Sequence, residues 1–294
     1  MTPDSWLFKL LEFYGTRLHH RGQWKVHALL RKWLQPNLDV DLEVMRDGHR
    51  WLLNPSDFVQ AEFFWLGERD TWDVLLAKRL IRPADVLFDV GANFGHYAIT
   101  LADALGRACE VHAFEPFPAN AERLRTNIRL NELEHVIHVH PIGLSDAAGI
   151  GKMMIRADNS GAATLAVTDD APVAAHNIEL ITLDEFCERK AIAKVDFIKV
   201  DVEGFEERMI LGSRRTIQRS APTMLIEFDP PKLVRAGSSV DRLAALLRQL
   251  NYGLWVADRD RLVPLKELSR GGDYINVFCL PDSRRSSTSQ NRLL

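Results

Sequence analysis

The chain has 294 residues, of which 46% are hydrophobic and 26% charged, and its formal net charge is -3. This composition is ordinary for a soluble globular protein and gives no reason to expect nucleic acid as a partner. Three widely spaced cysteines argue against a disulfide framework or a zinc site. No apolar run approaches the ~20 residues that span a bilayer, and the first residues lack the order of a signal peptide, so we expect a cytoplasmic protein.

The first 80 residues are predicted to form an extension of helices and a β-hairpin. Residues 1–35 place aromatic, leucine and basic side chains at helical spacing. This pattern fits either a helix packed on the main domain, which we favour, or a helix lying on a membrane surface. Residues 41–53 alternate in polarity around Asp47-Gly48 and predict a hairpin. Two short helices are expected at 58–66 and 72–80.

Residues 86–106 predict a strand, a glycine turn and a helix. Val86-Leu87-Phe88 is typical of a strand buried on both faces, and apolar residues from Tyr97 onward recur at helical spacing. The turn, Asp89-Val90-Gly91-Ala92-Asn93-Phe94-Gly95, lies where ligands bind in open α/β sheets. Asn93 stands where a dinucleotide fingerprint needs glycine, which disfavours a nicotinamide-dependent oxidoreductase and favours a ligand with a cationic, amino-acid-like end.

Polar side chains also follow the next two predicted strands. Glu115 ends the strand 111–115 and lies 20 residues after Gly95, about the offset at which an acidic residue reaches a ribose. Ser145 and Asp146 follow a strand at 136–144, where a purine edge can be hydrogen-bonded. The histidines within that strand follow its alternation, so we expect no metal site there.

Residues 156–177 show no periodicity, and we expect an irregular loop that covers the substrate. A short strand is predicted at 178–181, and Thr182 is expected to cap the helix that follows.

The second informative stretch is 195–206, a buried strand that contains Lys199 and ends at Asp201. The two charges share one face of the strand, and buried charges are costly unless they are paired or functional. They form either a structural ion pair or part of a site; we favour a site, because Asp201 lies at the ligand edge of the sheet. The next strand, 223–228, carries Glu227 near its end.

Towards the C-terminus, residues 240–250 predict an amphipathic helix. Strands at 252–257 and 274–280 are expected to form an antiparallel hairpin at the sheet edge. The Ser- and Arg-rich residues 283–294 are expected to be a disordered tail.

Over about residues 42–280 the chain resembles the FkbM family of S-adenosylmethionine-dependent methyltransferases. The motifs that carry this resemblance are Asp89-Val90-Gly91-Ala92-Asn93-Phe94-Gly95, Phe114-Glu115-Pro116, Asn127-Ile128-Arg129-Leu130-Asn131, Ile142-Gly143-Leu144-Ser145-Asp146, Thr182-Leu183-Asp184-Glu185-Phe186 and Asp196-Phe197-Ile198-Lys199-Val200-Asp201-Val202-Glu203-Gly204-Phe205-Glu206. His96 departs mildly from the family, which often has an aromatic residue there. The resemblance implies a class I methyltransferase Rossmann-like α/β fold over residues 81–282, with a seven-strand, mostly parallel sheet whose last strand is antiparallel.

The resemblance also implies S-adenosyl-L-methionine as the cofactor. The glycine turn would hold its methionine part, Glu115 its ribose, and Ser145 with Asp146 its adenine. The cofactor-binding residues expected on this basis are Asp89, Gly91, Ala92, Asn93, Gly95, Glu115, Ser145, Asp146 and Asp201. Family members resemble O-methyltransferases of sugars, glycolipids or polyketides, so the acceptor is expected to be a small molecule or glycan.

A hydroxyl acceptor reacts faster if it loses its proton during attack. Asp201, Glu203 and Glu227, with Lys199 beside them, are the candidate catalytic residues. The same carboxylates could instead hold Mg²⁺; we favour base catalysis without a metal. The remaining alternatives are a catalytically silent binding module and transfer to a nitrogen or carboxyl group.

Overall fold

The computed structural model describes residues 40–67, 71–156, 159–164, 174–266 and 274–284, together with three single residues near the N-terminus. The predicted basic helix at 1–35 therefore lies outside the described segments. The same holds for the predicted tail beyond a 3₁₀ turn at Asp282–Arg284. None of the helices in the described segments has the length and hydrophobicity needed to span a bilayer.

The strands are β1 (Leu42–Arg46), β2 (His49–Leu53), β3 (Val86–Val90), β4 (Glu110–Phe114), β5 (Ile137–His140), β6 (Gly143–Leu144), β7 (Gly149–Arg156), β8 (Asn159–Thr164), β9 (Ala174–Ile181), β10 (Phe197–Val200), β11 (Thr223–Phe228), β12 (Tyr252–Asp258), β13 (Arg261–Pro264) and β14 (Ile275–Pro281). The helices are α1 (Phe58–Leu66), α2 (Thr71–Leu80), α3 (His96–Ala104), α4 (Pro118–Leu130), α5 (Leu183–Arg189), α6 (Glu206–Leu211), α7 (Arg214–Ser220), α8 (Pro230–Arg235) and α9 (Val240–Gln249).

The main sheet has the order β13-β12-β14-β11-β10-β3-β4-β5. Strands β5, β4, β3, β10 and β11 pair in parallel, and β14 is antiparallel to both of its neighbours. Helices cover both faces, because successive residues such as Leu87 and Phe88 belong to hydrophobic clusters on opposite sides of the sheet. The predicted class I architecture is confirmed, with β13 as an additional eighth strand.

The predicted closing hairpin is corrected in one respect. β12 and β14 do pair antiparallel, but β14 lies between β11 and β12, and β13 forms the edge. The continuous burial of Val277, Phe278, Cys279 and Leu280 is the pattern of an interior strand.

A second, four-stranded sheet has the order β6-β9-β7-β8 and corrects two further predictions. The strand predicted at 136–144 is two strands, β5 and β6, because Pro141 has no N–H to continue the ladder. The loop predicted at 156–177 is wrong where β8 and the start of β9 pair with β7. The glycine- and alanine-rich sequence there has no hydrophobic alternation, so its strands are defined by backbone pairing.

The predicted hairpin and the two short helices after it are present and pack into the main core. Asp47-Gly48 forms the turn between β1 and β2. The ring of Trp51, fully buried, lies with its centroid 5.2 Å from that of Phe63 in α1 and 5.7 Å from that of Phe94 in the glycine turn. The hairpin and α1 therefore pack against the glycine turn between β3 and α3.

Candidate functional site

The glycine turn between β3 and α3 is packed against two neighbouring elements. Gly91 has a φ of 83°, and a Cβ placed on it would lie 1.8 Å from the carbonyl oxygen of Asp201. Gly95 has a φ of 100°, and its Cβ would lie 2.6 Å from Leu124 Cδ1 in α4. The backbone amides of Gly91 and Ala92 both donate to the carbonyl oxygen of Phe114 at 3.0 Å. Only glycine allows this approach, so the turn, β4 and the end of β10 form one unit.

Asp89 lies under the turn. Its Oδ2 accepts a hydrogen bond from the backbone amide of Ala98 at 2.9 Å, which ties β3 to the first turn of α3. Burial raises the pKa of Asp89 to about 6, and the nearby Lys199 opposes the shift. The Asp89 carboxyl therefore holds the backbone of β3 and α3 together, in addition to placing a negative charge beside the turn.

Glu115, predicted to bind the ribose, is hydrogen-bonded to the backbone of the glycine turn. Its Oε2 accepts from the backbone amide of Asn93 and its Oε1 from that of Phe117, both at 2.9 Å. Burial raises the pKa of Glu115 to about 7, while these amides lower it. Asn93 has a φ of 49°, and its Oδ1 is buried with no hydrogen-bond partner among the described residues. An unsatisfied buried acceptor in a site of this kind points to a missing donor.

Ser145 and Asp146 lie on the side of the site formed by α6. Ser145 Oγ donates to Asp146 Oδ1 at 3.0 Å, and the same oxygen lies 3.8 Å from Arg208 Nη1. A Cβ on Gly212 would lie 2.0 Å from the carbonyl oxygen of Ser145. The amide of Ser145 also donates to the carbonyl oxygen of Ile181 at the end of β9 at 2.9 Å. The contacts given for Ser145 and Asp146 are thus with β9 and the segment after β10.

Lys199 in β10 and Asp201 directly after its end lie close together, as the strand period predicts. The Nζ of Lys199 lies 3.7 Å from Asp201 Oδ2 and 5.2 Å from the centroid of the Tyr97 ring. Lys199 is opposite Asp89 in the sheet register. Its side chain is 3% exposed, whereas that of Asp201 is 35% exposed. The lysine is therefore an internal counter-charge, and the aspartate is the accessible group.

Glu206 holds the turn that follows Asp201. Its Oε1 accepts from the backbone amides of Val202 and Gly204, both at 3.1 Å. The side chain is buried, and burial raises its pKa to about 7. Gly204 has a φ of 102°, and its Cβ would lie 2.4 Å from the carbonyl oxygen of Lys232. The acidic end of the 195–206 motif is thus structural, and its glycine admits the backbone of α8.

Lys232 is the site residue that sequence reasoning missed. Its Nζ lies 2.9 Å from Glu227 Oε2, 3.1 Å from Glu203 Oε2 and 3.4 Å from Asp229 Oδ2. The available signal was its position in the first helical turn after the tip of β11, where Asp229 caps the helix by accepting from the backbone amide of Lys232. A lysine at such a place points back towards the strand ends.

Glu227 is buried and Glu203 and Asp229 are half-buried, and all three lie close enough to interact electrostatically with Lys232. Burial and the neighbouring Asp201 raise the pKa of Glu227, and Lys232 opposes this shift. Burial also raises the pKa of Glu203, again opposed by Lys232. The surrounding carboxylates hold the pKa of Lys232 well above its usual range, so the ammonium stays charged. Of the three predicted catalytic carboxylates, Asp201 is the one most exposed to solvent.

Helix α2 reaches the same edge of the sheet. Asn276 in β14 lies opposite Glu227 in the register and donates through Nδ2 to Asp73 Oδ2 at 3.0 Å. Trp72 precedes Asp73 in sequence, Tyr274 lies two residues before Asn276, and both aromatic residues are exposed. Helix α2 is therefore joined to β14 beside Glu227.

Comparison with known proteins finds two named methyltransferases and one synthetase among the relatives, and the chain spans 12% to 73% of the length of these three proteins. The chain is 28% identical over 160 residues to the 31-O-demethyl-FK506 methyltransferase FkbM of Streptomyces tacrolimicus. This alignment covers 45% of this chain and 60% of that protein. It is 29% identical over 188 residues to the hexuronic acid methyltransferase AglP of Haloferax volcanii, covering 63% of this chain and 73% of that protein. It is also 27% identical to the AMB antimetabolite synthetase AmbE of Pseudomonas aeruginosa, over 83% of this chain but 12% of that protein.

The match to the Methyltransferase FkbM domain runs over residues 89–254. This range begins at the first residue of the glycine turn and includes the ends of β4, β10 and β11, where the site is built. It also spans more than half of the 294 residues. The chain therefore belongs to the FkbM methyltransferase family.

Proposed function

We propose that this protein transfers a methyl group from S-adenosyl-L-methionine to a hydroxyl group of a sugar, glycolipid or polyketide-like acceptor. The observation that carries the proposal is the contact between the glycine turn and Asp201. The amide of Asp201 donates to the carbonyl oxygen of Val90 at 2.9 Å, and its own carbonyl oxygen lies in the space that a Gly91 side chain would fill. A turn suited to the cofactor thus adjoins an accessible carboxylate suited to receive a proton.

The residues of the turn fit the amino-acid end of this cofactor. The buried, unpartnered Oδ1 of Asn93 is an acceptor suited to an ammonium group. The N-terminus of α3, which begins directly after Gly95, carries the partial positive charge that favours a carboxylate. Glu115 would hold the ribose hydroxyls through its remaining lone pairs, and Ser145 with Asp146 would flank the adenine.

When bound, the cofactor would supply a methyl carbon made electrophilic by its sulfonium sulfur, and the carbon–sulfur bond would break with its electron pair on sulfur as the acceptor oxygen takes the methyl group. In our proposal the hydroxyl proton passes to Asp201, whose charge is balanced by Lys199. Positioning supplies most of the acceleration, of the order of 7–11 kcal/mol.

Two of the relatives support a hydroxyl-bearing acceptor, because they are named for methylation of an FK506 derivative and of a hexuronic acid. Trp72 and Tyr274 lie close in sequence to Asp73 and Asn276 and are 45% and 42% exposed, and a sugar ring can stack on aromatic side chains of this kind. Cys109, Cys187 and Cys279 are free thiols, which fits our proposal of a cytoplasmic enzyme.

The test is the Asp201→Asn variant, which keeps the shape of the side chain and removes its basicity. We expect turnover of a hexuronic acid or other sugar acceptor to fall by about 10²–10⁴-fold. Calorimetric titration should show the affinity for S-adenosylhomocysteine changed by only a few-fold. Asp103→Asn is the matched control, because Asp103 is an exposed residue of α3 whose partner is His49, in the hairpin.

Full activity of Asp201→Asn would show that this carboxylate is not the base. Failure of the wild-type protein to bind S-adenosylhomocysteine would overturn the proposed function itself and favour a catalytically silent module.

A further inference from the structure

We propose that Lys232 is the resident cation of this site, a positioning residue that holds Glu203 and Glu227 in place of a divalent metal. Methyl transfer by this protein then needs no added metal ion. The inference rests on the proposed function and deepens it, since it decides between the two ways in which the strand-end carboxylates could act.

The first support is the geometry around the ammonium. Three carboxylates from three segments converge on Lys232 Nζ: Glu203 from the turn after β10, Glu227 from β11 and Asp229 from the cap of α8, at 3.1, 2.9 and 3.4 Å. Mg²⁺ and Ca²⁺ take carboxylate oxygens as ligands. The ammonium therefore occupies the centre that these oxygens would offer to a metal ion.

The second support is the packing of the backbone that carries the Lys232 side chain. Gly204 has no Cβ, and a Cβ there would lie 2.4 Å from the carbonyl oxygen of Lys232. The side chain of Asp229 accepts from the backbone amide of Lys232 at 3.0 Å. The first contact sets the main chain of Lys232 against the turn that carries Glu203, and the second fixes it in the first turn of α8. The ammonium is therefore positioned by backbone packing. Its side chain is only 20% exposed.

The third support is the charge that would remain without the lysine. Glu203 and Glu227 are 19% and 5% exposed, and ionised carboxylates this close together are unfavourable without a counter-charge. A divalent ion entering beside the ammonium would meet a like charge about 3 Å away in a region of low dielectric. Lys232 therefore both satisfies the carboxylates and excludes the metal, which leaves Asp201 to act with Lys199.

The experiment compares wild type, Lys232→Gln, Lys232→Arg and Lys194→Gln. Lys194→Gln is the matched control, because Lys194 also forms an ion pair with a buried carboxylate. Its partner Asp196 immediately precedes the first residue of β10, at the end of the strand far from Asp201. Mn²⁺ binding is measured by electron paramagnetic resonance, S-adenosylhomocysteine binding by calorimetry, and methyl transfer with EDTA or with millimolar Mg²⁺.

We expect wild type and Lys194→Gln to bind no Mn²⁺ at this site and to keep their activity in EDTA. Lys232→Gln should lose about 10²-fold in kcat through misplacement of the carboxylates, with a small change in KM. It should also gain Mn²⁺ binding, because its carboxylates are uncovered. Lys232→Arg should retain the charge and remain independent of metal.

Inactivation of the wild type by EDTA with recovery in Mg²⁺ would overturn the inference, as would Mn²⁺ binding to wild type that Glu227→Gln abolishes. Full activity of Lys232→Gln would also overturn it. The wild-type measurements decide the matter even if Lys232→Gln does not fold. Loss of S-adenosylhomocysteine binding in the wild type would count against the proposed function, while the Mn²⁺ titration would still judge the role of Lys232.

Discussion

Replacing Gly91 with alanine tests whether the glycine turn and the end of β10 act as one unit. A Cβ at Gly91 would lie 1.8 Å from the carbonyl oxygen of Asp201 and 2.8 Å from its carbonyl carbon. Real Cβ contacts stay beyond 3.0 Å, so the backbone of Asp201 would have to move by about 1.2 Å. The obstacle is main chain, which cannot swing aside as a flexible side chain would.

The expected cost has two parts. A φ of 83° is unfavourable for alanine by roughly 1–2 kcal/mol. Forcing extra atoms into a packed region adds roughly 1–3 kcal/mol. We therefore expect the free energy of unfolding to fall by about 2–5 kcal/mol. A shift of about 1 Å at Asp201, the proposed base, should lower kcat by about 10²-fold.

Gly106→Ala is the matched control. Gly106 has a φ of 60° and nothing within 4 Å of the position of a Cβ, so its substitution carries only the conformational cost. Urea denaturation and calorimetric titration with S-adenosylhomocysteine should show Gly106→Ala mildly destabilised with normal affinity, and Gly91→Ala weakened in both. Equal stability and affinity of the two variants would refute the coupling between the turn and β10.

Two further changes test how the site is supported. Glu206→Gln should raise the melting temperature relative to wild type more at about pH 8 than at about pH 5. The reason is that burial raises the pKa of folded Glu206 from 4.5 to about 7, so its contribution to stability is full below pH 4.5 and is lost as the pH rises through 7. A pH-independent difference in differential scanning calorimetry would contradict this. Asn127 is fully buried, accepts from the amide of Leu52 at 2.7 Å and donates to the carbonyl of Phe94 at 2.9 Å. Asn127→Ala should therefore lower the free energy of unfolding, measured in urea, by about 1–3 kcal/mol for each of these two groups left without a hydrogen bond. A loss below about 0.5 kcal/mol would show that β2 is held in place without this link.

Local patterns were sufficient for the elements that form the site. The run Val86-Leu87-Phe88 and the apolar spacing after Tyr97 placed β3 and α3, and strand alternation placed Lys199 and Asp201 on one face. Asp47-Gly48 likewise located the hairpin. These signals work because the period of a strand or helix and the conformational freedom of glycine are properties of the local chain.

Other features depended on contacts between distant segments. The sequence of β8 has no hydrophobic alternation from which its pairing with β7 could be predicted. The position of β14 between β11 and β12 depends on which strands become neighbours in space, and the periodicity within one segment does not determine that. The largest difference concerns Lys232, since only the folded chain brings its ammonium between Glu203 and Glu227. The sequence by itself determined which carboxylates stand at the strand ends. Tertiary structure decided which of them are neutralised by a lysine and which is accessible, because a charge interaction depends on distance in space and on burial.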